Sequence, residues 1–252
     1  MPAAPFDPAT LAIVVAGALV AGFITGFAGF GTGLAASGLW FHALPAAMVP
    51  PLVAMASVAA QIVGFVSVRK SFDWSRALPY LAGGVIGVPL GVWALAAASP
   101  LLLRTAIGVF LICYAGYQLL QRRPYRIGAW GGKRADGAVG IGGGFLGGFA
   151  GLSGPLPLIW LQMRGGSSDG QRATYQPFNL IVLALASLGM AISGQITADV
   201  LWIAALCLPA TLLGAWSGAR LYVGVSHQTF QRVVLVLLVI SGCILTAQAL
   251  AG

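Results

Sequence analysis

Two glycine-rich stretches carry the residues of this chain whose types and spacing suit the binding of a small anion. Glycine interrupts helices because it has no side chain to restrict its backbone. An interrupted helix in an apolar segment leaves N–H groups unpaired where its second part begins, and these groups, at the positive end of the helix dipole, bind anions. We therefore predict substrate-binding residues in both stretches: Gly29, Phe30, Gly31, Thr32, Gly33, Gly151, Ser153 and Gly154.

Polar side chains inside neighbouring apolar segments extend this predicted site. Gln61 lies well inside one segment, and Gln176 and Asn179 lie near the start of another. These last two are three residues apart, so they share a helical face if the helix continues past Pro177. We predict that all three bind the substrate, with interhelical hydrogen bonding as the alternative for Gln176 and Asn179. Arg172 is predicted to attract an anion, or else to be an ordinary cytoplasmic positive charge.

The first glycine-rich stretch is repeated in the second half of the chain. Gly22–Gly29 reads GFITGFAG and Gly144–Gly151 reads GFLGGFAG, with six identical residues in eight and a separation of 122 residues. The repeat predicts two homologous halves. We assign residues 1–120 to a first membrane repeat, 121–136 to a basic cytoplasmic linker and 137–252 to a second membrane repeat.

The composition predicts an all-α integral membrane protein. Of the 252 residues, 59% are hydrophobic and 7% are charged, and the mean hydropathy is +0.93, whereas soluble domains contain about 25% charged residues. There are five acidic residues, all aspartates near the ends of apolar runs, so we expect no carboxylate at mid-membrane. The net charge of +8 fits the cytoplasmic excess of Lys and Arg in membrane proteins and not nucleic-acid binding. The sequence has no pattern for a nucleophile with a base or for a metal cluster, so we expect no enzyme activity, metal or cofactor.

About eight transmembrane segments are predicted, at 10–44, 46–68, 78–98, 102–120, 137–163, 173–194, 199–219 and 230–250. Six have the length that crosses about 30 Å of hydrocarbon. The first and the fifth are too long for one straight crossing, and each contains one glycine-rich stretch. We predict that the first helix of each half is broken at that stretch, with a kink in one long tilted helix as the alternative.

The placement of basic residues distinguishes two topologies. If all eight segments cross the membrane once and the N-terminus is inside, five arginines fall outside: Arg104, Arg164, Arg172, Arg220 and Arg232. If the first and fifth segments return to the side from which they enter, Arg104 alone lies outside and every other Lys and Arg lies inside, as the positive-inside rule favours. Three crossings per half then make the halves inverted repeats, an architecture common in secondary transporters. We favour this second topology.

Ten further glycines are predicted to serve close helix packing and not binding. Small residues spaced four apart let two membrane helices approach closely. The ten are Gly22, Gly26, Gly83, Gly87, Gly91, Gly140, Gly144, Gly148, Gly214 and Gly218.

The duplicated GFxxGFAG phrase, the four-plus-four segments and the short basic linker resemble the TauE/SafE sulfite exporter family, also called the toluene sulfonate uptake permeases. The resemblance covers nearly the whole chain. It implies a multi-pass transporter of the bacterial inner membrane for a small sulfur-containing anion such as sulfite or an organosulfonate. The second half has SGPLP at 153–157 where many members of the family carry a run of glycines.

The sequence and the resemblance together predict a secondary transporter, acting as an exporter, that works by alternating access around a site at the two helix breaks. An anion channel or a uniporter that uses the same site is the main alternative. A membrane-embedded enzyme and an assembly subunit whose glycines only pack are less favoured. The expected partners are the anion and the lipid bilayer, and a homodimer is one compatible assembly.

Overall fold

The computed structural model describes residues 6–68, 74–121, 126–128, 130–221 and 227–251, which form ten α-helices and one short 3₁₀ turn at Ala46–Met48. The helices are α1 (Pro8–Ala28), α2 (Thr32–Ala43), α3 (Val49–Val68), α4 (Trp74–Ala97), α5 (Pro100–Leu120), α6 (Gly132–Ala150), α7 (Pro155–Arg164), α8 (Ser168–Ile192), α9 (Ala198–Leu221) and α10 (His227–Ala251). The first and the fifth predicted segments each correspond to two helices. Helix α6 begins at Gly132, inside the linker predicted at 121–136. Residues 122–125 and 129 of that linker lie outside the described part of the chain.

Several helices begin where the local sequence supplies a cap. Asp7 accepts a hydrogen bond from the backbone N–H of Thr10 at the start of α1, where the first helical residue is a proline. Ser99 caps α5 in the same way. A side-chain acceptor followed by proline is a strong signal for a helix start. The bonds from Thr10 also hold the pKa of Asp7 below its ordinary value.

Six helical stretches in the described part of the chain are long and apolar enough to cross a membrane. They are Pro8–Ala28, Ala46–Phe65, Trp74–Ala97, Pro100–Leu120, Gly170–Ile192 and Ala198–Leu221, and Val234–Leu250 of α10 is a shorter apolar helix. Large apolar side chains such as Val85, Trp93 and Leu188 are exposed on the outer surface. Water opposes such exposure, whereas lipid permits it. The protein is therefore a multi-pass membrane protein.

Helices α1 and α2 form an antiparallel pair. Trp40 Nε1, near the end of α2, donates a hydrogen bond of 3.0 Å to the carbonyl oxygen of Val14, near the start of α1. Thr32, at the start of α2, donates its N–H to Thr25 Oγ1, near the end of α1. Helix α2 thus returns along α1, and the two form a helical hairpin, the first hairpin, whose tip is 29–31. Gly29 ends α1 with φ 81°, a left-handed conformation that favours glycine.

Helices α6 and α7 form a second helical hairpin of the same kind. Trp160 Nε1 on α7 donates to Asp136 Oδ1 near the start of α6, at 2.7 Å. Arg164, the last residue of α7, donates through Nη2 to the carbonyl oxygen of Gly132 at 2.8 Å. Gly151 ends α6 with φ 72°, and it stands 122 residues after Gly29 in the sequence. The tip of the second hairpin is 151–154.

Each helix from α1 to α5 has a counterpart five places later in the chain, from α6 to α10. When every helix is replaced by its counterpart, the main contacts between helices map onto one another. Helix α1 packs on α9, and its counterpart α6 packs on α4. Helix α3 packs on α9, and α8 packs on α4. The contacts of α3 with α8 and of α5 with α10 join a helix to its own counterpart.

The ten glycines that were predicted to serve helix packing lie in the α1–α9 and α4–α6 contacts. A Cβ atom added at any of them would come closer than 3.0 Å to a backbone carbonyl oxygen of the facing helix. At Gly87 that oxygen belongs to Ile141, and at Gly26 it belongs to Ala215. Backbones in such close contact leave no room for a side chain, so these glycines are explained by packing.

Candidate functional site

The tips of the two hairpins meet inside the protein. A Cβ atom on Gly33 would lie 2.7 Å from the carbonyl oxygen of Gly151 and 2.8 Å from Leu152 Cδ2. A cavity of about 20 Å³ lies between the tips, which is room for roughly one water molecule. We call it the central cavity. Helix α3 closes it with Ser57 and Gln61, and α8 closes it with Asn179 and Leu183.

Nine of the twelve predicted site residues line the central cavity. They are Phe30, Gly31, Thr32, Gly33, Gln61, Gly151, Ser153, Gly154 and Asn179. The other three, Gly29, Arg172 and Gln176, lie together on one side of the first hairpin tip. Gln176 and Asn179 are both on α8, which continues through Pro177 as a single helix, but only Asn179 lines the cavity.

The C-terminal end of α1 is capped by three side chains of α8. Arg172 Nη2 donates to the carbonyl oxygen of Phe27 at 3.1 Å, and Tyr175 OH donates to that of Ala28 at 3.0 Å. Gln176 Nε2 is 3.5 Å from the carbonyl oxygen of Gly29. These are the last carbonyls of α1, which have no partner within the helix. A cation at this end of the helix dipole is favourable, so Arg172 and Gln176 hold the hairpin tip in place.

The start of α2 supplies the hydrogen-bond donors of the first tip. Thr25 Oγ1 accepts the N–H of Thr32 at 2.6 Å, and the hydroxyls of the two threonines are also hydrogen-bonded to each other. Among the described residues, no hydrogen bond uses the N–H of Gly33 or of Leu34. Both residues line the central cavity. The N-terminal turn of α2 can therefore donate to an anion through two backbone amides and a hydroxyl.

The start of α7 supplies fewer donors. Pro155 and Pro157 have no backbone N–H, and the N–H of Leu158 is used by the carbonyl oxygen of Gly154 at 3.0 Å. Leu156 is the one residue of this first turn whose amide has no hydrogen-bond partner among the described residues, and it does not line the central cavity. The SGPLP sequence therefore makes the two tips unequal, and the stronger donor set lies on α2.

Side chains of α3 and α8 complete the polar lining. Ser153 Oγ donates to Asn179 Oδ1 at 2.9 Å, which fixes the orientation of the Asn179 amide. Ser57 Oγ and Gln61 Oε1 are buried and have no hydrogen-bond partner within the described residues. A buried polar atom without a partner costs about 1–3 kcal/mol, and such atoms are available to a ligand.

Sequence reasoning missed two residues of this site, Ser57 and Thr25. Ser57 stands four residues before Gln61, a spacing that places both on one helical face, and this signal was available in the sequence. The role of Thr25 as a cap for Thr32 depends on the antiparallel return of α2, which has no local signal.

The described lining of the central cavity contains no charged side chain. The described residues also contain no group of three His, Cys, Asp or Glu side chains that could hold a metal ion. The cavity can therefore offer an anion hydrogen bonds from neutral groups and helix-end amides, without an opposite charge.

These features can be compared with known proteins. The family model described as "Sulfite exporter TauE/SafE" matches residues 14–245, nearly the whole chain. The chain belongs to the TauE/SafE sulfite exporter family. Membership of this family and the apolar helices support a membrane transporter and point away from an enzyme. No curated protein and no solved structure matches the chain.

Replacing Arg172 of this TauE/SafE protein with glutamine should lower its stability more than its affinity for an anion. Arg172 contacts the C-terminal end of α1 and does not line the central cavity, and a cation at such a helix end contributes about 1 kcal/mol. The measurement is the unfolding temperature of the purified variant together with a sulfite titration. Arg134→Gln, which removes an exposed arginine, is the control. A loss of sulfite affinity at unchanged stability would show instead that Arg172 attracts the anion.

Proposed function

We propose that the protein is a secondary transporter, acting as an exporter, of a small sulfur-containing anion such as sulfite or an organosulfonate. The observation that carries the proposal is the meeting of the two hairpin tips around a cavity lined by uncharged donors. Hydrogen bonds to an ionised partner are about twice as strong as neutral ones, so backbone amides and hydroxyls bind an anion well. A transported anion must also leave, and a neutral site releases it more readily than a buried arginine would.

The transport mechanism that we propose is alternating access around the central cavity. The cavity holds roughly one water molecule, so the hairpin tips must separate before a sulfur oxyanion can enter. A site that is closed in this way favours alternating access over a continuous pore. An anion channel or a uniporter remains the alternative function, and a measurable single-channel current would favour the channel.

In the uniporter alternative, the membrane potential is a sufficient source of energy for export. A negative interior favours the exit of an anion by about 2.3 kcal/mol per charge for each 100 mV. The central cavity has no carboxylate among its described lining residues that would carry a proton. Export driven by the anion gradient and the potential therefore needs no residue beyond those described.

We propose that the two halves are inverted repeats, with the N-terminus outside. The support is the exchange of helix contacts between the halves and the return of each hairpin to the side from which it starts. Each half then has three crossings, an odd number, so the second half has the opposite orientation. The proposed location is the bacterial inner membrane. Among the lysines and arginines of the sequence, this topology places only Arg104 outside. The proposed assembly is a homodimer.

Labelling of single cysteines should place Ser193 outside and Arg126 inside. Both residues are exposed, and Ser193 follows α8 while Arg126 precedes α6. The measurement is reaction of Ser193→Cys and Arg126→Cys with a membrane-impermeant maleimide in intact cells, in a protein whose native cysteines are replaced by alanine. Arg126 is inside in both topologies and serves as the control. Labelling of Ser193→Cys only after permeabilisation would show that all eight segments cross.

Sulfite or a related sulfur anion should stabilise the purified protein against heat. A ligand at 100 times its dissociation constant stabilises by about 2.7 kcal/mol. The measurement is a thermal unfolding screen with sulfite, sulfate, thiosulfate, sulfoacetate and chloride at constant ionic strength. Gly31→Leu is the control, because Gly31 lies at the first tip with φ 112° and a side chain there distorts the site. If no anion shifts the unfolding temperature of well-folded protein, the central cavity is not a binding site for any of them.

A further inference from the structure

A second and larger cavity, of about 460 Å³, opens where α7 ends and where α4, α6 and α8 begin. We call it the vestibule. Its lining includes Arg76 of α4, Lys133 of α6 and Arg164 of α7, and the single carboxylate in its described lining is that of Asp136. In the proposed topology the vestibule faces the cytoplasm. Its charge contrasts with that of the central cavity, which has no charged residue in its described lining.

The positive charges of the vestibule lie close to the start of α8. Ser167 caps this helix by accepting the N–H of Gly170, and a Cβ atom on Gly170 would lie 3.7 Å from Arg76 Nη1. Both Ser167 and Gly170 line the vestibule. The positive end of the α8 dipole therefore adds to the field of the side chains.

One carboxylate oxygen in the vestibule is held by two hydrogen-bond donors and one cation. Asp136 Oδ1 accepts hydrogen bonds from Tyr80 OH and from Trp160 Nε1, each at 2.7 Å. The same oxygen forms an ion pair of 2.9 Å with Arg164 Nε. Asp136 is 9% exposed, so its carboxylate lies at the inner wall of the vestibule. The ion pair places the guanidinium of Arg164 between α6 and α7.

The first hairpin shows that this carboxylate is not needed to close a hairpin. Val14 stands 122 residues before Asp136 and is therefore its counterpart in the sequence repeat. There the indole of Trp40 donates to the backbone carbonyl of Val14, whereas in the second hairpin the indole of Trp160 donates to the side chain of Asp136. The second hairpin thus has an ion pair at a position where the first has a neutral hydrogen bond. An ion pair next to a cavity is open to competition by a dissolved anion.

We propose that the vestibule is a second anion-binding site, which holds an oxyanion against Lys133 and the Arg164 guanidinium, in competition with Asp136. The oxyanion is a sulfur oxyanion from solution or the phosphate of a lipid headgroup, because both offer the same charged oxygens to these donors. The vestibule as a binding site stands by itself. Its role as the cytoplasmic entrance, which concentrates the anion before the central cavity accepts it, depends on the proposed function.

The test is titration calorimetry of the purified full-length protein with sodium sulfite and with sodium sulfate at constant ionic strength. Lys133→Gln should weaken the vestibule binding step roughly fivefold, the upper range for an exposed charge pair. Arg134→Gln is the matched control, since Arg134 is the next residue on α6, is exposed and does not line the vestibule. Equal binding by Lys133→Gln and Arg134→Gln would overturn the proposal.

Asp136→Asn gives the result that most clearly separates binding from a structural role. The asparagine oxygen can still accept from Tyr80 and Trp160, while the charge that competes with the anion is gone. We expect tighter anion binding in this variant, whereas a purely structural aspartate predicts a less stable protein with unchanged or weaker binding. If Asp136→Asn does not fold, the comparison of Lys133→Gln with Arg134→Gln still tests whether the vestibule binds the anion.

Two further arms identify the ligand and separate this proposal from the proposed function. In nanodiscs of phosphatidylcholine, sulfite binding to the vestibule should match that in detergent. Phosphatidylcholine has no net charge, so if the same binding is lost in phosphatidylglycerol nanodiscs, an anionic lipid headgroup is the natural occupant of the site. Thr32→Val should weaken binding at the central cavity roughly 10- to 100-fold and leave the vestibule step unchanged. If the wild-type protein transports no sulfur anion while Lys133→Gln weakens binding, the proposed function fails and the vestibule site stands.

Discussion

Replacing Thr32 with valine should lower the affinity of the central cavity for the transported anion roughly 10- to 100-fold and reduce transport in proportion. Valine keeps the shape of threonine and removes its hydroxyl. A hydrogen bond to a charged group contributes about 1.5–3 kcal/mol, which corresponds to this range. Thr32 is 2% exposed, lines the cavity and begins α2, so its hydroxyl is shielded from bulk solvent. The measurements are sulfite-dependent thermal stabilisation and uptake of sulfite into inverted membrane vesicles.

Thr211→Val is the matched control for this experiment. Thr211 lies on α9, is fully buried, and its hydroxyl has no hydrogen-bond partner within the described residues. Removal of an unpaired buried hydroxyl is neutral or stabilising, so this variant should transport normally. Equal transport by Thr32→Val and the wild-type protein, with Thr32→Val folded, would remove the first hairpin tip from the binding site. A matching loss in Thr211→Val would show that the assay reports general damage to the fold.

The positions of the hairpin tips could be predicted because their signal is local. Gly29 ends α1 in a left-handed conformation that favours glycine, and the recurrence of the phrase 122 residues later marks the equivalent place in the other half. The packing glycines were also predictable, since their spacing of four residues directly indicates a helix–helix contact. These features depend on residues within one or two helical turns of each other.

The partners of the tips could not be predicted, because they come from distant parts of the chain. The bond from Arg172 to the Phe27 carbonyl joins residues 145 apart, and it exists only because α8 packs beside the end of α1. The sequence alone assigned Gln176 and Asn179 to one face of a helix, but it gave no information on which neighbour each residue would contact. The ion pair of Asp136 with Arg164 has the same origin, since it depends on the return of α7 along α6.

Replacing Gly87 with alanine should destabilise the protein by about 3 kcal/mol or more and remove most of the folded material. Overpacking of a tight contact costs about 1–3 kcal/mol and sometimes more, and here the new Cβ would meet the backbone carbonyl oxygen of Ile141, which cannot rotate away. Helices α4 and α6 would have to separate. Because α6 carries the second hairpin tip, their separation also displaces Gly151 from the central cavity. The measurement is the unfolding temperature of the variant in detergent, followed by size-exclusion chromatography.

Gly116→Ala is the matched control, and it should be neutral or slightly stabilising. Gly116 lies inside α5, and a Cβ atom at this position would have no other atom within 4 Å. Alanine is favoured over glycine inside a helix by about 0.5–1 kcal/mol. The same substitution should therefore have opposite effects at two helical glycines, according to what faces each of them. Similar unfolding temperatures for the two variants would contradict the close contact of α4 with α6, and with it the placement of the second hairpin tip, on which the proposed binding site depends.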